Sequence, residues 1–193
     1  MRGRQTACAF TGYRPQKLPW LSDERDPRCA DLKRRLRAAV EDACRCEMEH
    51  FLCGMAQGCD LYFAELVLEM KRDWPEITLE AAVPCPTQAD GWPAEDRVRR
   101  QRLLAACDYE TMVQERYGPG CMMRRNRYMV DHAAMVIAVY DGQAGGTQRT
   151  VEYALRRCLP VVLVPPVEES ECPPLNAAGE LAVGRIHGRE DIR

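Results

Sequence analysis

The sequence predicts a single doubly wound α/β domain, with a mostly parallel sheet of about six strands and helices on both faces. Apolar, strand-like segments alternate with amphipathic, helix-like segments as far as residue 166. This alternation is typical of parallel strands joined by right-handed crossovers. Two segments, residues 134–140 and 160–164, are almost continuously apolar, as strands covered by helices on both faces are.

The individual strands are predicted from short apolar runs bounded by glycine, proline or polar residues. In chain order they are residues 7–12, 50–56, 77–84, 109–113, 134–142 and 160–166, of which 109–113 has the weakest pattern. Between them, helical periodicity predicts helices over residues 29–48, 58–73, 94–106, 121–133 and 147–158. Leu32, Leu36 and Val40 form an apolar stripe on the first helix, and Pro75 ends the second.

The predicted domain covers residues 1–170. A chain of 193 residues is long enough for one sizeable core and too short for two. After Pro173 no periodicity remains, so residues 171–193 are predicted to form an irregular tail.

The composition excludes several classes of protein. The chain has 27 Lys and Arg residues against 29 Asp and Glu residues, a balance that argues against a nucleic-acid coat or a polybasic membrane binder. No apolar stretch reaches the ~18–20 residues of a membrane span, and the amino end lacks the pattern of a signal peptide. We therefore expect a cytoplasmic protein without a membrane partner. The eleven cysteines are scattered, with no C-x-x-C, which favours reduced thiols over a zinc site.

Glycines and small polar residues follow several of the predicted strands, and ligands of such sheets bind beyond the carboxyl ends of the strands. Two glycine-rich junctions, residues 54–60 and 145–150, lead into helices whose free amides suit phosphate. The candidate ligand-binding residues at these strand ends are Thr11, Gly12, Arg14, Gly54, Met55, Gly58, Asp60, Asp141, Gly142, Gly145, Gly146, Thr147 and Thr150. Tight turns and helix caps are the structural alternative for the same residues.

The junctions do not match the standard phosphate-binding motifs. Neither contains the G-x-G-x-x-G fingerprint of dinucleotide-binding domains or the G-x-x-x-x-G-K-[ST] loop. A nicotinamide dehydrogenase and a P-loop ATPase therefore lose their main support. No cofactor is required by the sequence, and no metal site is predicted.

Five segments of the sequence together resemble the YpsA-like branch of the SLOG superfamily, which is named for the Smf/DprA and lonely-guy proteins. The segments are TGYRP, GMAQGCDLYFAE, PCPTQADGW, RRNRYMVDHA and IAVYDGQAGGTQRTVEYA, and the resemblance covers about residues 6–166. The resemblance implies a Rossmann-like fold that binds a nucleotide-derived ligand, such as NAD, ADP-ribose or a nucleoside monophosphate. It adds Arg125 and Asn126, at the centre of the fourth segment, to the candidate ligand-binding residues.

Two better-known relatives supply alternative functions. Lonely-guy enzymes are phosphoribohydrolases with a Gly-Gly-x-Gly-Thr-x-x-Glu segment, and residues 145–152 resemble it in part, with Glu152 at the acidic position. If the protein is a hydrolase, Glu152 is the expected catalytic acid. DprA-like proteins bind single-stranded DNA, and residues 53–60 resemble their Ser-Gly-x-Ala-x-Gly-x-Asp pattern, with Cys53 in place of the serine.

The sequence thus predicts a cytoplasmic protein that binds a nucleotide-derived small molecule and acts as a sensor or regulator. A phosphoribohydrolase and an accessory protein that binds single-stranded DNA are the alternatives. Nucleic acid is an unlikely partner on charge balance, a homodimer is left open, and so is the question whether any reaction is catalysed.

Overall fold

A computed structural model describes residues 4–168 of the chain. The predicted tail, residues 171–193, lies outside the described residues, as does Cys172. The described part is a six-stranded, all-parallel sheet with five α-helices, so the predicted α/β fold class is confirmed.

The six strands match the predicted segments and are shorter than predicted. They are β1 (Ala7–Thr11), β2 (His50–Cys53), β3 (Thr78–Val83), β4 (Tyr109–Met112), β5 (Met135–Val139) and β6 (Val161–Val164). The strand predicted over residues 50–56 ends at Cys53, because Met55 has a positive φ of 53° that no strand residue adopts. The strand predicted over residues 134–142 ends at Val139, before a turn in which Gly142 has a φ of 99°.

The five helices also match the predicted segments, within a few residues at each end. They are α1 (Pro27–Arg45), α2 (Cys59–Met70), α3 (Ala94–Ala106), α4 (Cys121–Asp131) and α5 (Gly146–Arg156). Two short 3₁₀ turns, Arg4–Thr6 and Pro15–Lys17, were not predicted. Helix α1 begins earlier than predicted because Asp26 caps it, accepting a 2.8 Å hydrogen bond from the Arg28 amide, with Pro27 in the first turn.

The helices form a layer on each face of the sheet. Helices α1 and α2, with Leu103 of α3, share one apolar core with the sheet, in which the Phe10 and Phe63 rings stack 4.2 Å apart. Helices α4 and α5 cover the other face, where Met129, Val130 and Ala154 pack on small strand residues. None of the described helices has the length and apolar character needed to cross a membrane.

The order of the strands decides where a ligand can bind. It is β4-β3-β2-β1-β5-β6, so the chain builds the sheet in one direction from β1 to β4 and then continues at β5 on the other side of β1. The connections that leave β1 and β5 therefore diverge at the carboxyl ends of these two strands. Such a divergence opens the crevice in which doubly wound sheets bind ligands.

Candidate functional site

A cavity of about 270 Å³ lies at the carboxyl end of β1. Its walls are the loop after β1, the first residues of α2 and α5, and one side of α4. Eight of the predicted ligand-binding residues line it, namely Thr11, Gly12, Arg14, Asp60, Arg125, Asn126, Gly146 and Thr147. The structure thus brings together residues from four separate segments of the chain.

Gly12 and Gly58 allow the loop after β1 to lie directly against the beginning of α2. A Cβ on Gly12 would lie 2.5 Å from the Cβ of Cys59, and one on Gly58 would lie 2.7 Å from the carbonyl oxygen of Tyr13. That carbonyl accepts a 3.0 Å hydrogen bond from the Cys59 amide. Gly58 therefore shapes a wall of the cavity without lining it, and it also has a φ of 81° that suits glycine.

Gly54 makes room for the buried guanidinium of Arg125. A Cβ on Gly54 would collide with Nη1 of Arg125 and lie 2.8 Å from Oδ2 of Asp60. Instead, the Gly54 carbonyl oxygen accepts a short hydrogen bond from Nη1. Gly54 and the neighbouring Met55, which is fully buried, thus lie beneath the cavity and do not line it.

Arg125 and Asp60 are the buried charges of the cavity, with only 4% and 5% of their surfaces exposed. Nη1 of Arg125 lies 4.0 Å from Oδ2 of Asp60, at the limit of an ion pair, and Oδ2 also accepts a 3.1 Å hydrogen bond from the Ala56 amide. Burial raises the pKa of Asp60, and the Arg125 charge and the Ala56 amide offset this only in part.

The cavity carries more positive than negative charge. Arg14 and Lys17 line it in addition to Arg125, whereas Asp60 is the only carboxylate among the described lining residues. Arg14 is exposed and lowers the pKa of Asp60 through its charge. Such an excess of cations in a concave, partly desolvated site attracts an anionic ligand.

Helix α5 begins at the cavity. The first amide that makes a helical hydrogen bond is that of Arg149, which donates to the Gly145 carbonyl at 3.2 Å. The amides of Gly146 and Thr147 come before it and have no acceptor within the helix. A Cβ on Gly146 would meet nothing within 4 Å. The Thr147 hydroxyl donates a 3.1 Å hydrogen bond to the Gly12 carbonyl and so ties α5 to the loop after β1.

Four predicted ligand-binding residues on the segment 141–150 do not line the cavity, namely Asp141, Gly142, Gly145 and Thr150. Asp141 accepts a 2.5 Å hydrogen bond from the Tyr13 hydroxyl. Burial, together with this hydrogen bond, raises the pKa of Tyr13 to about 12. Lys17 donates a short hydrogen bond to the Ala144 carbonyl. Asp141 therefore fixes the loop before α5 to the loop after β1.

The Thr150 hydroxyl has internal partners on both sides. It donates a 2.9 Å hydrogen bond to the Gly146 carbonyl and accepts a 2.7 Å hydrogen bond from Nδ2 of Asn126. Its single hydrogen is thus engaged, and the residue is 1% exposed. The geometry favours a structural contact with Asn126 over the direct contact with phosphate that the sequence suggested.

Glu152 lies away from the cavity. Its side chain is 47% exposed and is 3.9 Å from Nη1 of Arg156, one turn further along α5. It follows Thr150 on the helix but faces solvent, so the structure does not bring the predicted catalytic acid to the other candidate residues.

Several polar residues at or next to the site were not among the predicted ligand-binding residues. Lys17 lines the cavity, while Gln88 and Arg100 are buried next to it and connect to the Gly54 carbonyl. Gln88 follows the third predicted strand, and Arg100 lies within the helix predicted over residues 94–106, but neither position predicts burial. A polar residue whose burial depends on distant segments leaves no local signal in the sequence.

The cysteines within the described residues do not gather into a second site. The ten cysteines within residues 4–168 are free, and seven of them are buried. Among the same residues, no group of three or more potential ligands is placed to hold a metal ion.

Comparison with known proteins identifies the family. The model described as YspA SLOG family (YpsA) matches residues 8–158. The chain belongs to this family. The SLOG relatives include the uncharacterized SPbeta prophage-derived protein YoqJ of Bacillus subtilis, which is 30% identical over 148 residues, covering 70% of this chain and 86% of YoqJ. A UPF0398 protein of Bacillus thuringiensis is 26% identical over 154 residues, or 77% of this chain and 82% of that protein.

Two solved structures of DNA processing protein A (DprA) share the fold of this SLOG protein. The Helicobacter pylori protein, described for its single-stranded DNA binding mode, matches with a TM-score of 0.55 and 15% identity over 83% of this chain. The Streptococcus pneumoniae protein matches with a TM-score of 0.53 and 16% identity over 81% of this chain. The chain spans 65% and 49% of the length of those two chains.

Proposed function

We propose that this SLOG protein binds a nucleotide-derived small molecule in the cavity at the carboxyl end of β1. The observation that carries the proposal is the position of Arg125. Its side chain is almost fully buried, yet Nη2 donates to no described residue although the side chain lines the cavity. A buried cation with one unused donor edge is suited to an anionic oxygen.

The surrounding groups suit the other parts of such a ligand. Oδ1 of Asp60 accepts from no described residue, so this carboxylate can accept a hydrogen bond from a ribose hydroxyl. The amides of Gly146 and Thr147 at the start of α5 can donate to the same phosphate as Arg125. With about 270 Å³, the cavity is smaller than the ~300–1,000 Å³ of pockets that enclose a drug-sized ligand, which favours enclosure of the sugar-phosphate part.

Calorimetric titration with adenine, AMP, ADP-ribose and NAD tests the proposal. The phosphorylated ligands should bind and free adenine should not. Arg14→Ala should weaken AMP binding about tenfold or more, since a hydrogen bond to a charged group contributes ~1.5–3 kcal/mol. Arg72→Ala is the matched control, because this exposed arginine follows α2 at its opposite end. Adenine that binds as tightly as AMP would overturn the proposal. Equal losses of AMP affinity in Arg14→Ala and Arg72→Ala would also overturn it.

Binding without hydrolysis is favoured over the phosphoribohydrolase alternative by the position of Glu152. This carboxylate is half-exposed and paired with Arg156, so it is not close to the groups that would hold a ribose. Incubation of AMP and other nucleoside monophosphates with the protein should release no base. Base release that is lost in Glu152→Gln would restore the hydrolase.

Single-stranded DNA is the second candidate ligand. The H. pylori DprA structure with the same fold is described for its single-stranded DNA binding, and this leaves the expectation that nucleic acid is an unlikely partner in doubt. Exposed arginines at the cavity mouth and on α4, Arg14 and Arg124, are the available phosphate contacts. Fluorescence anisotropy with a labelled oligothymidylate at low and high salt decides the question, since DNA affinity from phosphate contacts falls steeply with salt.

A further inference from the structure

A line of buried and partly buried hydrogen bonds runs alongside the cavity, with Arg125 at its centre. On one side, Nε of Arg125 donates to Oδ1 of Asn126 at 2.7 Å. Nδ2 of Asn126 donates in turn to the Thr150 hydroxyl at 2.7 Å, and this hydroxyl donates to the Gly146 carbonyl at 2.9 Å. The line therefore joins α4 to the first turn of α5, where the cavity is lined by main chain.

On the other side, the line continues through the backbone of Gly54 to the β3–α3 connection. The Gly54 carbonyl accepts hydrogen bonds from Nη1 of Arg125 and, at 2.9 Å, from Nε2 of Gln88. Oε1 of Gln88 accepts a 2.9 Å hydrogen bond from Nη2 of Arg100. Gln88 and Arg100 are both less than a tenth exposed, so this part of the line is shielded from solvent.

The acceptors along this line are neutral. Arg125 is held by a carbonyl and an amide oxygen, and the only carboxylate beside it, among the described residues, is Asp60 at 4.0 Å. Neutral acceptors fix the guanidinium without cancelling its charge. Two of its three nitrogens are thereby engaged, and Nη2 has no acceptor among the described residues in a side chain that lines the cavity.

We infer that Gln88 and Thr150 are positioning residues, which aim Arg125 at the anionic group of the ligand although neither side chain lines the cavity. The inference rests on the proposed function of the cavity. An arginine side chain that moves freely loses rotamer entropy when a ligand fixes it. Fixing it before the ligand arrives removes that cost from binding and increases affinity for the anion.

The inference is tested by comparing two ligands that differ only in the phosphate. Thr150→Val removes the acceptor of Asn126, and we expect it to weaken AMP binding about tenfold while adenosine binding stays within about twofold. Thr150→Ser retains the hydroxyl and should restore AMP binding. Thr78→Val is the control, because Thr78 lies at the amino end of β3, whereas the cavity lies at the carboxyl ends of the strands. Its hydroxyl bonds to His50 and to the Glu49 carbonyl.

A second variant addresses the other end of the line. Gln88→Met keeps the length of the side chain but cannot donate to the Gly54 carbonyl, and it should also weaken AMP binding more than adenosine binding. Equal losses of both ligands, or a loss that Thr150→Ser does not restore, would overturn the positioning role and indicate general damage to the fold.

A measurement without ligand separates this inference from the proposed function. The Nε–H signal of Arg125 in a ¹⁵N NMR spectrum, assigned by its absence in Arg125→Lys, should exchange slowly with water in the wild type. It should exchange faster in Thr150→Val and not in Thr78→Val. If no nucleotide binds to the wild type, the proposed function fails while this signal still reports on positioning. An unchanged Nε–H signal in Thr150→Val would overturn the inference itself.

Discussion

Two buried groups of charged and polar side chains, one around Glu80 of β3 and one around Arg125 of α4, are built differently. Around Glu80, which we call the Glu80 cluster, both carboxylate oxygens have partners. Nε2 of His50 lies 2.9 Å from one oxygen and the Tyr128 hydroxyl donates to the other at 2.8 Å. Around Arg125, by contrast, one guanidinium nitrogen donates to no described residue, and one oxygen of Asp60 accepts from none.

The pKa values of the two carboxylates follow this difference. Burial alone would raise the pKa of Glu80, but hydrogen bonds from His50 and Tyr128 outweigh it and lower the pKa from 4.5 to about 2. For Asp60, burial prevails and the pKa is raised. The comparison teaches that a buried charge satisfied by the protein stabilises the fold, whereas one left incompletely satisfied beside a cavity is available to a ligand.

The largest effect is expected at the Glu80 cluster. A carboxylate with a lowered folded pKa stabilises the protein above its ordinary pKa, and this stability is lost as pH falls from 4.5 toward 2. The shift corresponds to about 3 kcal/mol, so Glu80→Gln should lose about that much at pH 7. Urea unfolding at several pH values measures it, with Glu110→Gln on the exposed edge strand as control. AMP binding should be unchanged, and a comparable loss of AMP affinity would erase the distinction between the two groups.

Glycine replacements give the next largest effect. Gly54→Ala forces Arg125 away from the carbonyl that holds it, and we expect a loss of about 1–3 kcal/mol in the free energy of unfolding, as in other overpacked sites, with weaker AMP binding. Gly146→Ala is the matched variant, since its Cβ would meet nothing within 4 Å. In the helix it should stabilise the protein by about 0.5–1 kcal/mol. Similar melting temperatures for the two variants would contradict the geometry.

A smaller effect of the opposite sign is expected at Asp60. Because its folded pKa is raised, its contribution to stability is fully present below the ordinary value of 3.8 and is lost as pH rises through the folded value. At pH 7, Asp60→Asn should therefore change the free energy of unfolding less than Glu80→Gln does, and in the stabilising direction, because the neutral amide needs no desolvation of a charge. Denaturation curves of wild type and variant from acid to neutral pH measure this. A loss as large as that of Glu80→Gln would mean that Asp60 and Arg125 form a structural salt bridge.

The smallest effect is expected at Glu152. Its ion pair with Arg156 is exposed, and exposed pairs at this helical spacing contribute about 0.5 kcal/mol or less. Glu152→Gln should melt at nearly the wild-type temperature and bind AMP equally well. A clear loss of AMP binding, with folding intact, would return Glu152 to the site.

Much of the fold could be predicted because its signals are local. Each strand was recognisable as an apolar run and each helix as a periodic one, and the ends were wrong by a few residues where backbone conformation intervened, as at Met55 and Gly142. The glycines were predicted to contact a ligand from their position after the strand ends. Their separate tasks were not predictable, since Gly54 accommodates a side chain that lies 71 residues further along the chain.

By itself, the sequence determined the α/β class, the family and the edge of the sheet at which polar residues gather. The reason is that the alternation of strands and helices, the spacing of motifs and the ends of strands are all properties of residues close together in the chain. Only the tertiary structure decided the strand order that puts β1 beside β5. It also decided that Arg125 points inward while Glu152 faces solvent. The physical reason is that burial and hydrogen-bond partners depend on which distant segments pack together, and a single charged residue has the same local pattern whether it ends in solvent or beneath a cavity.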